Sequence, residues 1–598
     1  MKLYKLTLAL FLGVSSLISC GDKLDLVNPN QQTTGIFGNT TDDLEECVIA
    51  AYNHTRMEGS YGRVGYTIDV TRGDEVWNSS QVWYMPFDDF QVPATDDICT
   101  WIWREWYYTI NVCNFILSRT GDDNTALSEK MKYIKGQALF LRGLSYYNLA
   151  GYYQTPSLIT SYEGYSSLDG LYGANNTYDE VFDQVEKDFA EAMTLLPSRD
   201  AGGEWAKGRA TCGSAAGFYA RALMMRHKYA DALAVLKDII NKKYGTYQLM
   251  PNYGDNFREG SAYENNAESL YEVQFLDYGS QGTDEEWTPV NTSPNATQGH
   301  AVESNYCPTD FSGWADLSAS PWLYNLFKAE RTKDGSLDPR LYWTICTYEP
   351  EWEGFENGNV CYTNKITIND TLRTNIVNGG IPIAKWTNMR TNLYNSIVAG
   401  LRCGINLRLM RYSDVLLRAA ECENEVNGPT SQAIEWINQV RRRANLADLS
   451  LNDFSGNKDK LFEQIANVER PKEFGCENGR GFDLIRWGFF YDQGRLQQMK
   501  EHAVALRNPG KFNKDMPDVV PIPPTAPISY ADKETNEQIK SSFDTYTKGQ
   551  EFLPIALGIT NANPNLSGNS ANHVEAFDNA QWFSQQGWTV HPVTDLSK

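Results

Sequence analysis

Three stretches of this sequence set tryptophan beside carboxylate and amide side chains, outside any helical or strand period. The first is Asp74-Glu75-Val76-Trp77-Asn78, with Trp83 and Tyr84 close behind. The second is Asp284-Glu285-Glu286-Trp287, and the third is Asn305-Tyr306 followed by Asp310-Phe311-Ser312-Gly313-Trp314. A sugar ring has apolar C–H faces and a rim of hydroxyls, so flat aromatics beside hydrogen-bonding groups are the chemistry that holds it. The candidate ligand-binding residues are therefore Asp74, Trp77, Asn78, Trp83, Tyr84, Trp287, Tyr306 and Trp314, with Arg63 and Arg72 as further donors. For each tryptophan the competing reading is a loop anchor buried against helices. Trp101, Trp103 and Trp106 stand in a helical pattern and read as core, whereas Trp322 and Tyr324 are ambiguous.

Hydrolytic chemistry would need two carboxylates facing each other across a sugar, roughly 5 to 10 Å apart. With 75 Asp and Glu in the chain, neighbours such as Asp88-Asp89 and Glu285-Glu286 arise by chance and carry little weight. Nucleophile elbows, phosphate loops and the HExxH zinc motif are absent from the sequence. The six histidines are scattered, and the acidic runs Asp96-Asp97 and Asp122-Asp123-Asn124 lack a full calcium-ligand pattern. The expectation is a non-catalytic binder with no cofactor and no named metal.

Composition narrows the partners. The 598 residues carry 53 Lys and Arg against 75 acids, a net charge of −22, which disfavours wrapping a phosphate backbone. Sixteen Trp, 34 Tyr and 25 Phe exclude an acidic disordered chain. The start, MKLYKLTLALFLGVSSLISC, has Lys2 and Lys5 before an apolar run too short to span a bilayer. It ends in Leu17-Ile18-Ser19-Cys20, which resembles a bacterial lipobox, so residues 1–19 read as a lipoprotein signal peptide and Cys20 as the lipidated residue. Exported chains can form disulfides, and Cys346 with Cys361 is the pairing to test first; Cys113, Cys212 and Cys422 read as buried thiols.

Apolar periods then place the elements that must position these residues. Helices are expected at 41–57, 101–117, 127–152 and 178–196. Two helix pairs follow, 207–225 with 229–240 and 411–425 with 431–444, in the style of tetratricopeptide hairpins. Residues 59–100 read mostly as loop, and 241–404 as a loop-rich insertion with short strands at 269–275 and 340–347. The expected layout is a tether at 20–40 and a single mainly α domain at 41–598. Within it, a helical-repeat scaffold covers about 41–240 and 405–500, and a closing segment covers about 501–598.

Four stretches resemble the SusD/RagB family of surface lipoproteins. They are the lipobox with Leu24-Asp25-Leu26, Pro29 and Thr33; Gly136–Leu149 (GQALFLRGLSYYNL); Arg411–Glu421 (RYSDVLLRAAE) with Ala433, Asn438, Arg441 and Arg443; and Glu469-Arg470, Glu473-Phe474 and Gly479–Gly488 (GRGFDLIRWG). Tyr152–Thr155 replaces the usual glycine-containing turn. The tail has Phe552–Ile555 and Asn563–Leu566 but no Gln-Asn-Pro-Gly-Tyr ending, and it continues to Lys598. The charged residues among these motifs read as scaffold, pairing around a helix end over Phe482 and Trp487. The resemblance implies a SusD-like helical fold, glycan capture at the outer membrane surface, and delivery to a TonB-dependent transporter of the SusC kind. The alternatives are a secreted all-helical glycoside hydrolase, a binder of another nutrient such as peptide, and a structural lid or adhesin.

Overall fold

The computed structural model describes residues 38–78, 81–162, 172–276, 299–307, 313–346, 381–387, 403–506 and 539–566, and near the end of the chain 582, 585 and 587–597. Trp287, Cys20 and Cys361 lie outside the described residues.

Eight helices run as a chain of neighbours: α1 (Thr41–His54), α2 (Asp97–Thr120), α3 (Glu129–Tyr153), α4 (Tyr178–Leu195), α5 (Cys212–Met225), α6 (Tyr229–Ile240), α7 (Tyr412–Asn427) and α8 (Ser431–Arg443). Each packs on the next, and α6 lies directly against α7, so the repeat interrupted at 241–404 is continuous in space. The protein is thus mainly α, with tetratricopeptide-like helix pairs. Local signals set the ends: Thr40 and Thr177 form capping boxes with Asp43 and Glu180, and Pro197 follows α4. Gly217 of α5 faces Met410 and Leu270, where any side chain would collide.

Among the described residues the strands form three small antiparallel sheets: β1 (Val76–Asn78) with β3 (Leu317–Ala319) and β4 (Ile381–Pro382); β2 (Ser269–Val273) with β5 (Leu407–Arg411); and β6 (Val504–Leu506) with β7 (Ile539–Ser541). Among the described residues no helix is long and apolar enough to cross a membrane.

Two expectations are corrected. Residues 59–100 contain a helix at Val64–Thr71, the strand β1 and a short helix at Met85–Asp88. Every residue of Val64–Thr71 is buried, and a helix enclosed on all sides shows no amphipathic period. The strand expected at 340–347 is replaced over its first residues by a helix: Pro339–Thr344 is helical, because the Asp338 carboxylate accepts the Arg340 N–H and Pro339 sits at the first helical position.

A buried ion-pair network joins these parts. Arg411 meets Glu268 and Glu473 at 2.8 Å and Glu477 at 2.7 Å. Asp414 receives Arg221 at 2.7 Å and Arg418 and Arg470 at 2.8 Å, while Asp483 receives Arg486 at 2.7 Å. Burial opposes charge on Asp483, but Arg418, Arg470 and Arg486 outweigh it and hold its carboxyl below the usual range. Arg480 carries the network to Asp74 at 2.7 Å, two residues before β1. These charges set geometry more than they add stability.

Candidate functional site

The register of the first sheet decides which candidate residues meet. Val76 pairs with Ala319, Trp77 with Ser318 and Asn78 with Leu317. In an antiparallel pair, the chain leaving Asn78 and the chain approaching Leu317 lie at the same end. Trp83 follows one and Trp314 precedes the other, so two segments far apart in sequence deliver their indoles to one place.

Arg63 lies between them. Its guanidinium carbon is 5.1 Å from the Trp83 ring centre and 5.8 Å from that of Trp314. Arg63 is fully buried and paired with Glu58, so it sits beneath the half-buried indoles as a cation against their electron-rich faces. Beneath the Glu58–Gly62 turn, burial pushes the Glu105 carboxyl well above the usual range.

Each indole is held from behind. Trp83 stacks on Tyr84 with ring centres 4.3 Å apart and planes 23° apart. The Tyr84 hydroxyl is 2.6 Å from Thr67 Oγ1 and donates to Asn305 Oδ1 at 3.3 Å, while Asn305 donates to Asp316 at 2.9 Å. The Trp314 amide donates to the Ser304 carbonyl at 2.6 Å, and Ala301 N–H to the Gly62 carbonyl at 2.8 Å, tying the third stretch to the turn before Arg63. Asn78 fixes the chain ahead of Trp83: its side chain donates to Gln81 O at 2.7 Å and accepts from Gln81 N at 3.0 Å. Val82 and Met85, 73% and 41% exposed, stand on either side of Trp83 and Tyr84 along the chain. The result is a platform of two half-buried indoles with an exposed apolar border and polar groups fixed behind it.

The other candidates are placed elsewhere. Trp77 is 1% exposed in the middle strand position of β1, so it packs inside and cannot present a face to a ligand. Asp74 is buried; Arg480 and His502 Nδ1, at 2.7 Å each, outweigh the burial and hold its carboxyl low. It is a counter-ion rather than a sugar acceptor. Tyr306 is fully buried and donates to the Cys476 carbonyl at 3.1 Å. Tyr84 is also buried, where burial raises its phenol, and it supports Trp83 instead of meeting solvent. Asn78 acts through the turn it caps. Arg72 points inward over Phe90 at 4.5 Å.

The sequence reading missed Glu58, Thr67, Val82 and Met85. Thr67 stands one helical turn after Arg63, and its hydroxyl donates to the Arg63 carbonyl at 3.0 Å. That four-residue spacing was the one available signal, hidden in a helix without an apolar face.

The comparisons with known proteins agree with this architecture. The sequence profile of the SusD family matches residues 267–572, just over half of the chain, and a second profile, described as starch-binding associating with outer membrane, matches residues 22–224. A relative, SusD-like protein P25 of Formosa agariphila, is 24% identical over 530 residues, covering 82% of this chain and 91% of that protein. Among solved structures, a SusD superfamily protein from Bacteroides vulgatus superposes with a TM-score of 0.67 at 20% identity, covering 90% of this chain and all of the other. Surface glycan-binding protein A from Bacteroides thetaiotaomicron, solved in complex with laminarihexaose, superposes with a TM-score of 0.61 at 20% identity, covering 88% of this chain and 99% of the other.

Proposed function

This chain belongs to the SusD family, and from that premise we propose that it binds glycans at the bacterial cell surface without cleaving them, holding them on Trp83 and Trp314. The observation that carries the reading is the convergence of these two half-buried indoles over Arg63, with Val82 and Met85 exposed beside them. Two flat rings set by one buried cation suit the C–H faces of successive sugar units, and stacking tolerates variation in the rest of the ligand. The surface glycan-binding relative that holds laminarihexaose supports the ligand class.

A binding role also fits how three of the nearby acids are engaged, while Glu105 is fully buried away from any ligand. Glu58 pairs with Arg63, Asp316 accepts from Asn305, and Asp88 accepts the Asn78 amide at 3.1 Å and the Ser542 hydroxyl at 2.6 Å. A carboxylate committed in this way is a poor proton donor or nucleophile. Delivery to a TonB-dependent transporter and anchoring through a lipid on Cys20 complete the proposal. Trp287 keeps its place as a third candidate contact.

Calorimetry against a panel of polysaccharides tests the site. Trp83→Ala or Trp314→Ala should each weaken binding roughly 5–30-fold, on the order of 1–2 kcal/mol. Unchanged affinity in both variants rejects the platform, and glycan breakdown that tracks the purified protein rejects the non-catalytic reading. The anchor is tested separately: Cys20→Ala should move the protein from the membrane to the soluble fraction, and continued membrane attachment in cells lacking the transporter would reject it.

A further inference from the structure

The family profile ends at residue 572, yet the described residues beyond it make built contacts. Trp582 is buried edge-on against Tyr178, with ring centres 5.4 Å apart, and its indole N–H donates to Asp179 at 3.2 Å. Trp588 stacks on His227 at 4.2 Å and 16° and lies 5.1 Å from Tyr229. His227 occupies the turn between α5 and α6 at a φ of 54°, and its Nε2 donates to the Arg486 carbonyl at 2.7 Å. Burial lowers the His227 imidazole to about 4, so it stacks as a neutral ring near pH 7.

Three residues further on, His591 lies flat on Phe462 at 4.0 Å, with Nδ1 2.6 Å from Asp459 and Nε2 2.6 Å from Glu425. Lys458 pairs with the other Glu425 oxygen at 2.6 Å. Arg495 donates to the carbonyls of His591 and Pro592 at 2.7 and 3.0 Å, and Val590 packs on the neighbouring apolar cluster.

We propose that Trp582 and residues 588–592 form a strap, an intramolecular ligand for a surface built from Tyr178, the α5–α6 turn, the end of α7, Asp459 and Arg495. That surface fits a peptide with Trp-x5-Trp-x2-His-Pro spacing, and its occupant is this chain's own end, bound in cis. Tyr178 and His227 precede the 241–404 insertion, whereas Glu425, Asp459 and Arg495 follow it. The strap therefore ties the two halves of the split scaffold together on a face that carries none of the platform residues. Its two indole anchors are followed by a hydrogen-bonding clamp, in which Asp459 and Glu425 hold the His591 ring and Arg495 holds the carbonyls around it.

Limited proteolysis of the full chain reads the strap directly, since cleavage tracks the population of the undocked segment. Trp588→Ala and His591→Ala should each speed cleavage after residue 580 roughly tenfold. Asp459→Asn and Glu425→Gln, on the receiving surface, should do the same with the strap sequence intact, which keeps the test open if Trp588→Ala lowers the yield. Combining His591→Ala with Glu425→Gln should add little beyond either alone. Equal cleavage in the parent and all four variants overturns the proposal, as does strict additivity in the double variant. Protection that appears only as the chain dimerises would assign the surface to a second copy and overturn binding in cis.

Discussion

Arg63 shows how one buried cation can organise a surface it never reaches. Its charge is satisfied by Glu58, and its flat guanidinium sets the depth at which Trp83 and Trp314 rest. Nearby, a different buried charge gives a pH signature. Burial pushes Glu75 up to about 7, although Arg480 works in the opposite direction, and Asp69 is raised to about 7 for the same main reason. A carboxyl whose folded value exceeds its unfolded one stabilises the fold fully below the unfolded value and loses that contribution as pH rises through the folded one. The contribution of these two carboxyls should therefore decline between about pH 4.5 and 7, by on the order of 1 kcal/mol per pH unit for each, while His227, lowered to about 4 by burial, works with the opposite slope up to about 6.5. Asp74 and Asp483 add no slope there, being ionised in both states. Thermal midpoints measured across this window should flatten in Glu75→Gln, and an unchanged slope would reject the assignment. Residue identity was readable only in part at this scale. The neighbourhood of Trp83 stood out, but sequence alone could not separate it from Trp77, whose strand is buried on both faces, or reveal that Asp74 answers an arginine some 400 positions away.

At the scale of elements, the pairs of helices were legible because their apolar positions repeat and their ends carry capping residues and prolines. The Val64–Thr71 helix and the helix at Pro339–Thr344 were not, the first for want of a polar face and the second because its cap lies in Asp338-Pro339. Close packing between elements makes its own prediction. Gly217 lets α5 approach the β2–β5 ribbon, with Met410 and Leu270 occupying the space that a side chain would need. Gly217→Val should destabilise the protein by about 1–3 kcal/mol through overpacking, read as a lower urea midpoint. A midpoint equal to the parent's would show that the ribbon can shift aside.

At the scale of the whole molecule, the family motifs turned out to be the wiring of the interior. Arg411, Asp414, Arg470, Arg480 and Asp483 join the repeat on both sides of the insertion and reach Asp74 at the root of the platform sheet. That is why the motifs foretold the fold better than the site: they encode contacts common to the scaffold, whereas the indoles depend on loops at the sheet edge. The strand register adds a consequence in time. β1 and β3 are separated by about 240 residues, so their pairing carries a loop-closure cost that contacts between near neighbours do not. Helix hairpins such as α5–α6 can form early from neighbouring residues, but two indoles brought together by a distant pairing cannot. On the proposed reading, competence to hold a ligand is then a late property of a refolding molecule, and a half-folded copy would be helical yet unable to bind.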